Sequence, residues 1–215
     1  MLELYQRQRL RRVAPPTVKH ELGIIRRALH RVSRQHPSYQ IPHINLPKVD
    51  NARSRRIHQS EVFNLLNTIN NKEVNALIEL AIETGMRRGE LLGITASNID
   101  WKKRTLHVPK TKTSRPRTVP LSSKAIEILR MFCEVKTDYL FAIKPDSVTQ
   151  AFARACKKSG IQNLRFHELR YEATSKFFEQ GFSMMEVATI TGHQDPRMLR
   201  RYTHLDASRL ALRLN

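Results

Sequence analysis

Apolar residues recur at Val18, Leu22, Ile25, Leu29 and Val32, three or four positions apart. That is the period of one helix face. Thr17, after Pro15-Pro16, can cap this helix, and Pro37 closes it near Gln35. A short basic helix precedes it, so Leu2 to Gln35 reads as two helices. They cannot bury the apolar stripe alone; a further domain, the body of the chain or another copy must cover it. From His36 to Ser54 the periodicity fades, and Pro37, Pro42 and Pro47 mark an extended linker.

Helical patterning resumes at Ile57. Ser60 can cap a helix through Ile69, and a second runs from about Glu73 to Thr84 with Val74, Leu77, Ile78, Ala81 and Ile82 inward. Gly85 suits its left-handed cap, and a short turn follows with Leu91 and Leu92 inward. The period then changes. Ile99-Asp100-Trp101, Thr105 to Val108 and Arg117 to Val119 read as three short antiparallel strands. Pro109 to Pro116 forms a polar, basic hairpin tip between the second and third.

Helices return from Ser122 or Ser123 to Phe132, from Ser147 to Lys158 and from His167 to Glu179. Ser183 and Glu186 form a capping box for a helix to about Ile190. Asp195-Pro196 is an N-cap with proline at the first helical position, so Tyr202 lies about two turns into a short helix. Asp206 can cap a last helix bearing Leu210 and Leu214. The pattern gives an α+β fold, mainly α: a helical domain over 55–215 with a small three-stranded antiparallel sheet, preceded by a partial helical region and linker over 1–50.

Composition sharpens this picture in one direction. Lys and Arg number 38 against 19 acids, a formal charge of +19 on 215 residues. The excess is far beyond what solubility requires and calls for a polyanion, most simply nucleic acid. A membrane surface fits less well, because no amphipathic helix pairs a broad basic face with Trp or Phe anchors. No apolar run is long enough to span a bilayer, and the N-terminus lacks the apolar core of a secretory signal. Cys133 and Cys156 are too few for a disulfide framework and lack zinc-ligand spacing, so both read as buried thiols. A reducing cytoplasm is the expected compartment.

Five motifs stand in order: Thr84-Gly85-Met86-Arg87-Arg88-Gly89-Glu90, the lysine-bearing hairpin ending Arg117-Thr118-Val119-Pro120-Leu121, His167-Glu168-Leu169-Arg170, Thr191-Gly192-His193, and Arg200-Arg201-Tyr202-Thr203-His204-Leu205. They supply a tyrosine hydroxyl, separated arginines and histidines, the parts needed to attack a phosphodiester without a metal. A phenol ionises near pH ~10 in water and is a poor nucleophile at neutral pH unless guanidinium groups hold the phosphate and spread its charge. Any single piece is weak; the ordered set resembles the catalytic domain of the tyrosine recombinase (phage integrase) family, over roughly Ile57 to Leu205.

The resemblance implies roles. Arg87 and Arg170 would clamp the scissile phosphate, and His193, nine residues before Tyr202, would be a third contact. His167, three residues before Arg170, is similar to the proton-handling histidine. Lys112 resembles the general acid to the leaving 5′ oxygen, with Lys110 its competitor because hairpin length varies. Glu90 would orient Arg87 at i+3, and Tyr202 would be the nucleophile. Tyr171 stands where many relatives carry histidine, a departure expected to concern packing. Arg53, Arg55, Arg56, Arg115 and Arg117 are expected DNA contacts.

No cofactor is implied. The expected partner is double-stranded DNA, with a homotetramer on DNA, a monomer when free, and a bacterial or phage, nucleoid-associated setting. Two rivals stay open. A type IB topoisomerase uses a similar residue set, although the short His193-to-Tyr202 spacing favours a recombinase. A truncated, non-catalytic DNA-binding remnant is the other, because the helices before the linker resemble only the end of the family's DNA-clamping domain. The sequence names neither the target site nor the biological role, whether integration, inversion, transposition or resolution.

Overall fold

The computed structural model describes residues 1–49, 55–109, 115–133 and 138–202. The expected hairpin tip with Lys110 and Lys112, the basic Arg53 and the C-terminal helix from Asp206 lie outside the described residues. The chain divides into two compact units, Met1–Arg53 and Ser54–Asn215.

In the first unit α1 (Leu2–Leu10) packs on α2 (Pro15–Gln35). The Arg9 guanidinium donates to Glu21 through Nε at 3.0 Å and Nη2 at 2.5 Å, and the Tyr5 hydroxyl adds a bond at 2.9 Å. The apolar stripe of α2 is not uniformly covered: Val18 and Leu22 are buried, whereas Val32 is exposed. Helix α2 begins at Pro15 rather than after Thr17. A proline in the first turn lacks only an N–H that has no helical partner anyway.

In the second unit α4 (Lys72–Thr84) is the central helix, packed on α5 (Arg88–Leu92), α6 (Ser123–Phe132), α7 (Pro145–Lys158) and α8 (Glu168–Glu179). Seven of its residues are buried, among them Leu77, Ile78 and Leu80. Full burial of each such side chain contributes roughly 1.5–3 kcal/mol. Asn71 caps α4 by accepting from the Val74 N–H at 3.0 Å. At its other end Gly85 adopts φ +62 and turns the chain into the first arginine motif.

Helix α3 (Gln59–Thr68) starts one residue before the expected Ser60 cap, because Glu61 reaches back to the His58 N–H at 3.0 Å. Helix α7 starts at Pro145, two residues before Ser147, for the reason that applies at Pro15. The three strands pair antiparallel in chain order: β1 (Ile99–Asp100), β2 (Thr105–Val108) and β3 (Arg117–Pro120). Leu106 stands opposite Val119, and Val108 opposite Arg117. Helix α9 (Met184–Thr191) carries the expected capping box and packs on β3 and α8. The segment Pro196–Tyr202 is a 3-10 helix, tighter than the α-turns expected, with Tyr202 its last residue.

Candidate active site

Five segments bring the motif residues together. Gly85 ends α4, and Arg87 becomes the N-cap residue of α5 with extended backbone. Glu90, in the first turn of α5, accepts from the Arg87 N–H at 2.9 Å and from its guanidinium at 3.0 Å. Arg117, reaching in from β3, donates to both Glu90 oxygens at 2.9 and 2.8 Å. Burial alone would raise the Glu90 carboxyl. The Arg117 hydrogen bonds and the Arg87 N–H outweigh that and hold it at about 2. Glu90 is therefore an anion at any working pH, balanced between two arginines.

Arg170, on α8, is only 3% exposed. Its Nη1 donates to the Gly85 carbonyl at 2.6 Å. Its Nη2 stands 3.4 Å from both ring nitrogens of His193. Burial, and then the charge of Arg87, lowers Arg170 to about 10, so it remains a cation at neutral pH. The Thr191 hydroxyl donates to the Val187 carbonyl at 2.5 Å and lies 2.7 Å from His193 Nδ1. With its proton so placed, the hydroxyl accepts from Nδ1–H, which assigns Nε2 as the acceptor nitrogen of the neutral ring.

His167 precedes α8 at the rim of a cleft of about 370 Å³ that is also lined by Arg87, Arg88, Arg165 and Arg170. Solvent still reaches the ring, yet its pKa is lowered, first by desolvation and then by the Arg170 charge. No carboxylate lines this cleft among the described residues. Four guanidinium groups around one recess with no lining acid form a site for an anion. A second cleft of about 320 Å³ carries Arg154 and Lys158 but none of the motif residues.

Tyr202 closes the group from the 3-10 helix. Its ring lies 4.4 Å between centroids from Tyr171 and 6.2 Å from His193. Leu199, fully buried with Val187 and Ala188, pins that helix to α9, and the Tyr202 ring packs on the same cluster. Tyr171 is itself buried and packs directly on the Tyr202 ring.

The expected DNA contacts divide. Arg115 is exposed. Arg55 pairs with Glu61 at 2.6 Å. Arg56 holds Glu172 at 2.8 and 3.0 Å and also bonds Glu179, tying the start of the second unit to α8. The Arg117 side chain is 7% exposed, and its guanidinium bonds Glu90 and the Ile190 carbonyl. Burial follows from strand alternation: Arg117 shares the inward face of β3 with Val119. That alternation was readable in the sequence, whereas a basic residue beside a basic hairpin suggested a surface role.

Arg88 and Arg165 at the cleft, and the Gly85 carbonyl that anchors Arg170, were not singled out by sequence reasoning. The pairing of Gly85 with Arg170 spans 85 positions, and no local spacing signals it.

The phage integrase family model matches residues 55–209. A shufflon-specific DNA recombinase of Escherichia coli is 37% identical over 175 residues, covering 80% of this chain and 46% of that protein. A putative integrase/recombinase of Haemophilus influenzae is 32% identical over 215 residues, 91% of this chain and 57% of its own length. The chain thus spans about half the length of the curated relatives it matches. Among solved structures, a Tn1549 transposon integrase in complex with transposon right end DNA superposes with a TM-score of 0.82 at 17% identity, covering 99% of this chain and 84% of that one. The XerH site-specific recombinase bound to its difH substrate gives 0.74 at 20% identity, covering 100% and 69%. At such identities the structural likeness carries the fold, and the sequence match carries the family. On the match across residues 55–209, the chain belongs to the phage integrase family.

Proposed function

We propose that this chain carries the strand-transfer centre of a site-specific DNA recombinase, with double-stranded DNA as substrate and Tyr202 as nucleophile. The observation that carries the reading is the cleft lined by Arg87, Arg88, Arg165 and Arg170, with His193 against Arg170 and Tyr202 beside His193. Relatives named as recombinases and integrases support it.

In this reading the Tyr202 hydroxyl oxygen attacks the scissile phosphorus in line. A 3′-phosphotyrosine bond forms and the bond to the 5′ oxygen breaks. His167 takes the phenolic proton, and the lysine of the hairpin, Lys112 with Lys110 as competitor, protonates the leaving 5′ oxygen. Arg87 and Arg170 each offer a planar fork to the non-bridging oxygens, and His193 adds a third contact. The 5′ hydroxyl of a partner strand then attacks the phosphotyrosine and releases Tyr202. One phosphoester replaces another at each step, so the covalent intermediate retains the bond. Exchange between two duplexes requires four such centres, which gives a homotetramer on DNA. The first unit is the end of a DNA-clamping region.

Arg87→Ala and Arg170→Ala test the clamp. Each is expected to lower cleavage of a nicked duplex by at least ~10²-fold, the scale of one lost transition-state donor, while most DNA affinity remains. Arg→Lys at either position restores charge without the fork and is expected to recover little. Near-normal cleavage by either lysine variant contradicts the clamp.

A further inference from the structure

Each nitrogen of the Arg117 guanidinium donates a hydrogen bond inside the protein. Nη1 and Nη2 hold the two Glu90 oxygens at 2.9 and 2.8 Å, and Nε donates to the Ile190 carbonyl at 3.0 Å. Glu90, its side chain only 3% exposed, passes the constraint to Arg87 through the backbone N–H and the guanidinium. Ile190 lies three residues before His193. Between them Gly192 adopts φ +74, and a Cβ there would meet Arg117 Cδ and Nε at 3.0 Å. One side chain on β3 therefore touches the start of α5 and the end of α9. A guanidinium can make two parallel bonds to a carboxylate while its third N–H points to a carbonyl; an ammonium cannot hold that geometry.

We infer that Arg117 is a positioning residue of the strand-cleavage site, directing Arg87 through Glu90 and placing His193 through the Ile190 carbonyl and the Gly192 turn, without touching DNA itself. The inference rests on the reading that Arg87 and His193 act on the scissile phosphate. Both neighbours of that phosphate then depend on one buried fork, so disturbing the fork misplaces both. A misplacement of about 1 Å at a reacting centre costs on the order of 10²-fold in rate.

Two readouts test it on the whole chain. The first is adduct formation on a nicked suicide duplex at saturating DNA, with affinity and its salt slope measured in parallel. Arg117→Met is expected to slow adduct formation by roughly 10²-fold with affinity and salt slope unchanged. Arg117→Lys, which keeps the charge beside Glu90, recovers part of the loss. The exposed Arg115→Met instead reduces the salt slope by roughly 1 phosphate contact. The double variant Glu90→Gln with Arg117→Met is expected to lose no more than the worse single variant, because the pair acts as one unit. Losses that multiply, or an Arg117→Met effect on affinity and salt slope in place of rate, overturn the assignment.

The second readout needs no cleavage: the nitrogen-15 Nε–H resonance of Arg87 in the free protein. It shifts or broadens in Arg117→Met and stays in place in Arg115→Met. An unmoved Arg87 resonance overturns the positioning role even where the wild type cleaves. A wild type that forms no adduct overturns the recombinase reading, while the resonance still decides the positioning role. Should Arg117→Met fail to fold by circular dichroism, Arg117→Lys carries both readouts, with the same signs and a smaller rate loss.

Discussion

Burying the Arg170 guanidinium to 3% exposure carries a desolvation cost of several kcal/mol. The Gly85 carbonyl offsets part of that cost, and the neighbouring Arg87 charge adds to it. A bound phosphate would relieve both, so the free site is already poised for an anion. The same field acts on His167, whose pKa is lowered by desolvation and then by Arg170. The sign is fixed: imidazolium beside a buried cation is disfavoured, so His167 is neutral at neutral pH and gains its proton only below the ordinary histidine range. A neutral ring is what a proton acceptor for the phenol requires. Titration of its ring resonances in the free protein is expected to give a midpoint below ~6.5, rising in Arg170→Met. A midpoint at or above the ordinary value contradicts the arrangement. Arg87, Arg170, His193 and Tyr202 were legible because each sits in a short motif. Glu90 was legible from its i+3 spacing to Arg87. Arg117 was misplaced because its charge outweighed its phase with Val119.

Among the elements, local chemistry fixed the existence of the described helices and strands, and tertiary contacts adjusted their ends. Pro15 and Pro145 open their helices from inside the first turn, earlier than side-chain caps suggested. Pro196–Tyr202 winds as a 3-10 helix with Leu199 packed into the α9 cluster, neither of which a period in seven residues reveals. Gly85 joins two roles, ending α4 in the left-handed region and offering its carbonyl to Arg170. A Cβ there would also lie 3.2 Å from Thr191 Cγ2, against the turn that leads to His193. Gly85→Ala is therefore expected to lower stability by ~1–2 kcal/mol, the cost of a left-handed residue with a side chain. It should also slow cleavage beyond what the remaining folded fraction explains. A urea midpoint and cleavage rate both equal to wild type contradict this double role.

For the whole molecule, a charge of +19 pointed to a polyanionic partner before any fold was known. It did not say which cations face that partner: Arg55, Arg56 and Arg117 are engaged with Glu61, Glu172 and Glu90, while Arg115 is exposed. The number of free cations, not the net charge, sets the salt dependence of binding. The logarithm of affinity for duplex DNA is expected to fall by about 0.9 per phosphate contacted for each tenfold rise in salt. Arg56→Met should leave that slope unchanged and cost about 1 kcal/mol of stability, as befits a half-exposed ion pair. A salt-independent affinity, or a slope that drops in Arg56→Met, contradicts this division of the basic residues.

In the proposed reaction the arginine cleft serves a tyrosine that becomes covalently joined to DNA. A nicked suicide duplex, incubated with the chain in excess EDTA, is the decisive test. An adduct is expected that survives boiling in detergent, with mass spectrometry placing the nucleotide on Tyr202, while Tyr202→Phe binds DNA as wild type and forms none. An adduct on another residue, an adduct that needs a divalent metal, or no adduct under conditions where DNA is bound contradicts it.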